Sequence, residues 1–159
     1  MKAGIGYDLH RTEPGDGVFL GGVFIKADYR FVAHSDGDVV LHALTDAILG
    51  AIGEDDLGTH FPPDDEKWKG ASSADLLKIV LRKYSGHIGK IINTDIVLII
   101  ETPKMALHQK AIKENLAMLL GTDMKRIGFK IKSGEGIGDV GEGRAVACHC
   151  IILLEGNDA

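Results

Sequence analysis

The sequence predicts an α+β fold: a mixed β-sheet with helices packed on one face. Three observations predict it. Strand-like and helix-like segments are segregated rather than strictly alternating, in the order β-β-α-α-β-α-β-β. Neither a repeat nor a linker divides the 159 residues, a length that builds one core, so residues 1–159 read as a single domain. The last strand, AVACHCIILL at 145–154, is apolar on both parities. Its sheet is therefore buried on both faces, and helices sufficient for one face leave the other to a second copy of the chain.

Each element follows from local signals. Residues 3–9 alternate as a strand, and RTEPGDG at 11–17 reads as a turn-rich loop. VFLGGVFI at 18–25 reads as a hairpin broken at Gly21 and Gly22. HSDGD at 34–38 opens a helix over 39–52, with Asp36 or Asp38 as N-cap. Residues 53–70 form a long acidic loop interrupted by proline, a length usually reserved for function or motion. Ser72 with Asp75 resembles a capping box and starts a helix to about Tyr84. NTDIVLII at 93–100 is a buried type of strand, and Pro103 precedes a helix over 106–120 stopped by Gly121. Thr122 is placed to cap a further short turn, and strands follow at 127–132 and 145–154.

Charge and composition exclude several classes. Lys and Arg number 18 against 23 Asp and Glu, a net charge of −5, which disfavours a nucleic-acid or anionic-membrane surface. An anionic substrate is still allowed if a metal ion or helix N-terminus holds it. Hydrophobic residues at 45% argue against disorder, and no apolar run reaches the ~20 residues of a membrane span. The start MKAGIGYDLH reads as strand rather than leader, so the expected compartment is the cytoplasm, or the plastid stroma for a trimmed mature form. Cys148 and Cys150 point the same way on a strand and read as buried thiols in a reducing compartment. Glycine, at 21 residues, far exceeds the usual ~7% and marks tight turns and close backbone approaches.

The residues with chemical potential lie in a few places. Asp8 and His10 leave one face of the first strand, and His42 follows on the first helix. A carboxylate and two imidazoles with an open position suit catalytic zinc or non-haem iron. Asp38, His42, Thr45 and Asp46 form a polar stripe on an otherwise apolar helix, and Asp46 is placed to accept from the second ring nitrogen of His42. His34 and Ser35 precede a helix N-terminus that favours anions. The acidic loop offers Asp56, Asp64 and Asp65 for hydroxyls. KSGEG at 132–136 and TPKMA at 102–106 are turns suited to phosphate or a base edge. Two readings emerge: a divalent-metal enzyme acting on a small phosphorylated substrate, and a non-catalytic oligomer binding a small ligand.

GIGYDLH at 4–10, FVAHSDGDVVLHALTDAILGA at 31–51, DLGTHFPPDD at 56–65, KGASS at 69–73 and ETPKM at 101–105 decide between them. In order and across nearly the whole chain, they resemble the 2-C-methyl-D-erythritol 2,4-cyclodiphosphate synthase family. The resemblance implies a single cyclodiphosphate synthase domain, assembled as a homotrimer with the sheets facing inward and active sites at subunit boundaries. It implies conversion of 4-diphosphocytidyl-2-C-methyl-D-erythritol 2-phosphate to the cyclic diphosphate and CMP, in non-mevalonate isoprenoid biosynthesis. The partners implied are this small cytidine diphosphate substrate and further copies of the chain, with no nucleic acid and no membrane.

Carried over by position, the resemblance gives Asp8, His10 and His42 to Zn2+, with Asp8 and His10 also beside substrate. It gives His34 and Ser35 to phosphates and methylerythritol. Asp56, Leu57, Gly58, Phe61, Pro62, Pro63, Asp64 and Asp65 take the substrate's hydroxyl-bearing part. Pro103, Lys104, Met105 and Ala106 line a neighbouring subunit's cytidine pocket. Lys132 and Ser133 meet phosphate, and Glu135 holds Mg2+ or Mn2+ bridging the phosphates; His34, Ser133 and Glu135 are the catalytic set. The segment GDVGEGRAVA departs from the commoner bacterial pattern, with Asp139 for an aromatic residue and Glu142 for an arginine. Arg144 then stands where it can pair with Glu142 of the next chain near the threefold axis, so a central cavity with a nearly neutral mouth that binds isoprenoid diphosphates poorly is expected.

Overall fold

A computed structural model describes residues 1–156 of the chain; residues 157–159 of the expected domain lie outside them. The main sheet is organised around its first strand, β1 (Lys2–Pro14), which runs on through the expected loop at 11–14. Pairing explains the extension: Thr12, Glu13 and Pro14 lie opposite a short strand, β4 (Tyr29–Phe31), that is too brief to announce itself by alternation. Between them a separate hairpin, β2 (Gly17–Leu20) and β3 (Val23–Lys26), turns at Gly21 and Gly22 as expected. The remaining strands are β5 (Ile91–Ile99), β6 (Ile127–Lys132) and β7 (Ala145–Leu154). The five-stranded sheet has the order β4-β1-β7-β5-β6. It is mixed, because β5 and β6 are parallel and the other pairs antiparallel.

Helix α1 (Val39–Ile52) is apolar almost all round and buried on nearly every side, as such a helix must be. It lies directly on β1. A Cβ at Gly6 would stand 1.9 Å from the carbonyl oxygen of Ala43, and one at Gly4 1.9 Å from that of Ala47. These glycines exist to let the helix backbone touch the strand. Asp38 is the N-cap, not Asp36. Wholly buried, its carboxylate accepts from Val40 N and Leu41 N at 3.1 Å, Gly21 N at 2.9 Å and Gly22 N at 2.6 Å. One side chain thus closes the helix and ties down the hairpin turn.

The acidic segment is not structureless. Asp56 caps a single turn, α2 (Leu57–His60), and Asp65 caps a 3-10 turn at Glu66–Trp68. Helix α3 (Ser73–Lys83) begins where expected, but Ser72 makes no side-chain cap and Asp75 turns instead to Lys78 at 2.9 Å. The amide of Ser73 is satisfied from a distance, by Asp36 Oδ2 at 2.9 Å. Helix α4 (Gln109–Leu120) starts after a separate 3-10 turn at Met105–Leu107 and ends at left-handed Gly121. Asp123, not Thr122, caps the next turn, accepting from Lys125 N. A last short helix, α5 (Gly138–Gly141), precedes β7.

Burial separates the two sheet faces. Ile96, Leu98, Phe129, Cys148, Cys150, Ile152 and Leu154 are buried with the helices, and both cysteines are free thiols. The opposite face bears Ile5, 69% exposed, with Tyr7, Leu9 and Ile151 also exposed. Within this chain the helices therefore cover one face only, and the apolar residues of β1 and β7 on the other are open. No helix among the described residues is long and apolar enough to cross a membrane.

Candidate active site

Positions 4, 6, 8 and 10 of β1 share the helix-covered face, so the glycines that admit α1 also aim Asp8 and His10 at it. His42 sits on α1 one residue before Ala43, the residue in contact with Gly6. The three side chains converge. His42 Nδ1 lies 2.9 Å from Asp8 Oδ2, His10 Nε2 lies 3.1 Å from the same oxygen, and the two ring nitrogens are 3.0 Å apart. Ligands of a tetrahedral ion at 2.0–2.1 Å stand about 3.3 Å from one another, so this donor set needs only slight expansion to hold a divalent cation. It is the one such acid–histidine group found among the described residues.

Electrostatics prepares the ligands. Burial opposes ionisation of Asp8, but hydrogen bonds from His10 and His42, and the charge of those rings, hold its carboxyl well below the usual carboxylate range. Burial works against a proton on His42, yet Asp8, Asp38 and Asp36 together shift its titration upward.

The ring's other nitrogen corrects an expectation. Asp46 does not accept from His42; it turns toward α2 and accepts from Leu57 N at 2.7 Å, and burial pushes its carboxyl above the usual range. Four residues along a helix put Asp46 on the same side as His42, but the loop's unpaired amide claims its carboxylate. His42 Nε2 instead meets Ser73 Oγ at 2.8 Å and Ser35 Oγ at 3.2 Å.

The donor cluster opens into a cavity of about 240 Å³. Of the expected residues, His10, His34, Ser35, His42, Leu57, Gly58, Phe61 and Pro63 line it. Ala33, Trp68 and Leu76 line it too, unanticipated. Trp68 packs edge-on against Phe61 with ring centroids 4.9 Å apart. A lone tryptophan in an acidic, proline-broken segment was the available signal. Pro62 and Asp64 do not line the cavity. Asp56 spends an oxygen on Thr59, accepting from its amide at 2.9 Å and its hydroxyl at 2.6 Å, bonds that lower its titration. Asp65 holds the amide of Lys67 at 3.0 Å, and its carbonyl oxygen lies 3.4 Å from His34 Nε2.

A second expected group gathers at another corner, beyond the C-terminal ends of the parallel strands β5 and β6. Ile100 N donates to Lys132 O at 2.8 Å, and Gly134 N donates to Glu101 at 2.9 Å. This ties the segment leading into Pro103, Lys104, Met105 and Ala106 to the one that carries Lys132, Ser133 and Glu135. Met105 is buried under the turn, and Tyr29 Oη donates to Thr102 O. Ser133 Oγ donates to Glu135 at 2.7 Å, with Glu135 in the left-handed region at φ 53°. None of these residues lines the cavity beside Asp8, His10 and His42. Arg144 pairs within its own chain, with Glu142 and with Asp139, donating to the latter at 2.6 and 2.9 Å. Asp139, presented by α5, completes this local fork around the Arg144 guanidinium.

Fold and donor set define a divalent-metal enzyme domain of the α+β class. The chain belongs to the YgbB family, whose sequence profile matches residues 1–155. It is 47% identical over 154 residues to the 2-C-methyl-D-erythritol 2,4-cyclodiphosphate synthase of Treponema denticola, covering 97% of this chain and 96% of that one. It is 46% identical to the bifunctional enzyme IspD/IspF of Caulobacter vibrioides, covering 97% of this chain but only 40% of that longer protein. The solved Plasmodium falciparum IspF–CDP complex superposes with a TM-score of 0.85 at 34% identity, covering 99% of this chain and 97% of that one.

Proposed function

We propose that the chain is a metal-dependent cyclase that converts 4-diphosphocytidyl-2-C-methyl-D-erythritol 2-phosphate to 2-C-methyl-D-erythritol 2,4-cyclodiphosphate and CMP. The observation that carries this reading is the convergence of Asp8, His10 and His42 at the wall of a cavity also lined by His34 and Ser35. An oxygen of the 2-phosphate attacks the β-phosphorus, one P–O bond forms, and the bond from that phosphorus to the CMP oxygen breaks. The nucleophile is already an anion and CMP leaves as one, so no side chain has to move a proton. Positioning and charge neutralisation are what the reaction requires.

Asp8, His10 and His42 would hold Zn2+, and Glu135 Mg2+ or Mn2+; such ions supply Lewis acidity and a template for the phosphates. His34 and Ser35, at the entry to α1, orient the phosphates. Asp56, Leu57, Gly58 and the 61–65 segment receive the methylerythritol. Phe61, Pro63, Trp68 and Leu76 give the site an apolar wall that keeps out competing water. Pro103, Lys104, Met105 and Ala106 take the cytidine, with Lys132 and Ser133 toward phosphate.

These two groups lie apart in one chain, and the open face bearing Ile5, Tyr7, Leu9 and Ile151 asks for cover. A homotrimer with inward-facing sheets answers both needs by setting one chain's 103–106 turn against another's cavity. Free, buried thiols suit a reducing compartment such as the cytoplasm. The test is incubation with the cytidyl substrate, following CMP release and the cyclic product by phosphorus NMR, with sedimentation to count chains. Linear hydrolysis products alone would refute the cyclase reading, and a monomer with full activity would refute the shared site.

A further inference from the structure

We infer that the cleft between segment 61–68 and helix α3 is a second ligand site, separate from the substrate cavity, that takes a single aromatic ring carrying a carboxylate. The inference rests neither on the metal nor on the cyclase reading. The cleft measures about 210 Å³ and four rings wall it. His60 and Tyr84 meet edge-on with centroids 5.8 Å apart, and Phe61 and Trp68 do the same at 4.9 Å. Phe61 and Trp68 also belong to the lining of the substrate cavity, so the two spaces share a wall. The volume sets the size of the occupant. An apolar cavity of about 150 Å³ accepts benzene, whereas drug-sized ligands need about 300 Å³ or more. One ring with a small polar group fits between these limits, and aromatic walls favour a ring that can pack edge-to-face or offset against them.

The charges set its sign. Lys67 Nζ lies 4.3 Å from the centre of the Trp68 ring, and Lys83 Nζ lies 4.7 Å from that of Tyr84. Both lysines line the cleft, and neither has a carboxylate partner among the described residues. The neighbouring carboxylates are engaged: Glu66 holds Lys69 at 3.2 Å, and Glu54, outside the lining, accepts from Tyr84 Oη at 2.6 Å. Two ammonium groups lying on aromatic walls without a counter-ion attract an anion, and the rings beside them select one that is aromatic. An aliphatic carboxylate would meet the lysines and miss the rings. A neutral ring would do the reverse.

The probe is sodium benzoate, titrated into the full chain. Trp68 is the only tryptophan in the sequence, so its emission reports on this wall. The emission should change saturably, with half-saturation on the order of millimolar for so small a ligand. Benzamide, which lacks the charge, and cyclohexanecarboxylate, which lacks the π-face, should each bind roughly two- to tenfold more weakly. Lys67→Gln and Lys83→Gln should each weaken benzoate about two- to fivefold, the scale of one exposed ion pair, and the double variant by at least about fivefold. Nuclear Overhauser contacts from the benzoate ring should reach Ile79, Val80 and Tyr84, which line only this cleft. Contacts confined to Ala33, Leu57 and Leu76, which line only the substrate cavity, would overturn the inference. So would unchanged benzoate affinity in the double lysine variant, equal affinity for cyclohexanecarboxylate, or no saturable response at all.

Discussion

Replacing Gly6 with alanine should displace a metal ligand it never touches. The added Cβ would lie 1.9 Å from Ala43 O and 2.8 Å from both Ala43 C and Ala47 N. All three are backbone atoms, so no rotamer change on α1 relieves the clash. An ordinary contact needs about 3.4 Å, so strand and helix must part by roughly 1.5 Å. His42 rides on the displaced turn, and its Nδ1 now lies 2.9 Å from Asp8 and 3.0 Å from His10. Metal sites accept deviations of about 0.2 Å, so a shift on this scale breaks the ligand set. Overpacking of this kind costs about 1–3 kcal/mol, or roughly 2–12 °C in Tm for a domain of this size. Zinc affinity should fall at least tenfold, as for the loss of a ligand's support. Gly86→Ala, where an added Cβ has nothing within 4 Å, is the matched control and should leave stability and zinc unchanged. Calorimetry and zinc titration on the two variants decide it. A Gly6→Ala protein with unaltered melting and zinc affinity would refute the claim that backbone contact between β1 and α1 sets the site.

Other outcomes follow from the same structure. His42→Ala removes one of the three clustered donors, and metal analysis should show zinc falling from one per chain to a trace while sedimentation still shows the assembled form. Glu135→Gln should lower turnover by about two orders of magnitude, the scale of losing one charge-stabilising contact, without changing zinc content; unchanged turnover at limiting magnesium would contradict its role. Burial pushes the Cys150 thiol up to about 12, and burial with nearby Asp28 pushes the Tyr29 phenol up to about 12. Both groups thus stay neutral in the folded chain while the unfolded chain ionises at about 8.5 and 10, so stability is full below those values and falls as pH rises toward 12. The fall should reach up to about 1.4 kcal/mol per pH unit for each group ionised only on unfolding, and Cys150→Ala should flatten its lower part in urea titrations.

What the sequence disclosed and what it withheld divide along one physical line. Signals set by neighbours in the chain were legible. The hairpin at Gly21 and Gly22, the long apolar helix, strands β6 and β7, and the placing of Asp8 and His10 on one face of β1 rest on local periodicity or turn chemistry, whereas the resemblance to a known family was what joined His42 to that pair. Partnerships made across the fold were not. A Ser72–Asp75 box reads well locally, yet α3 takes its cap from Asp36, 37 positions earlier. Asp46 stands in register with His42 on the helix but is claimed by the amide of Leu57. A side chain with several acceptors goes to whichever buried donor lacks a partner, and sequence spacing cannot say which donors those are. The abundance of glycine was legible, whereas its meaning at Gly4 and Gly6 required knowing that Ala43 and Ala47 lie above them. The glycines bring α1 onto β1, that contact brings His42 to Asp8 and His10, and Ser73 Oγ meets the other ring nitrogen of His42 at 2.8 Å. A change at any of these positions should therefore be read first in the metal and only afterwards in the substrate.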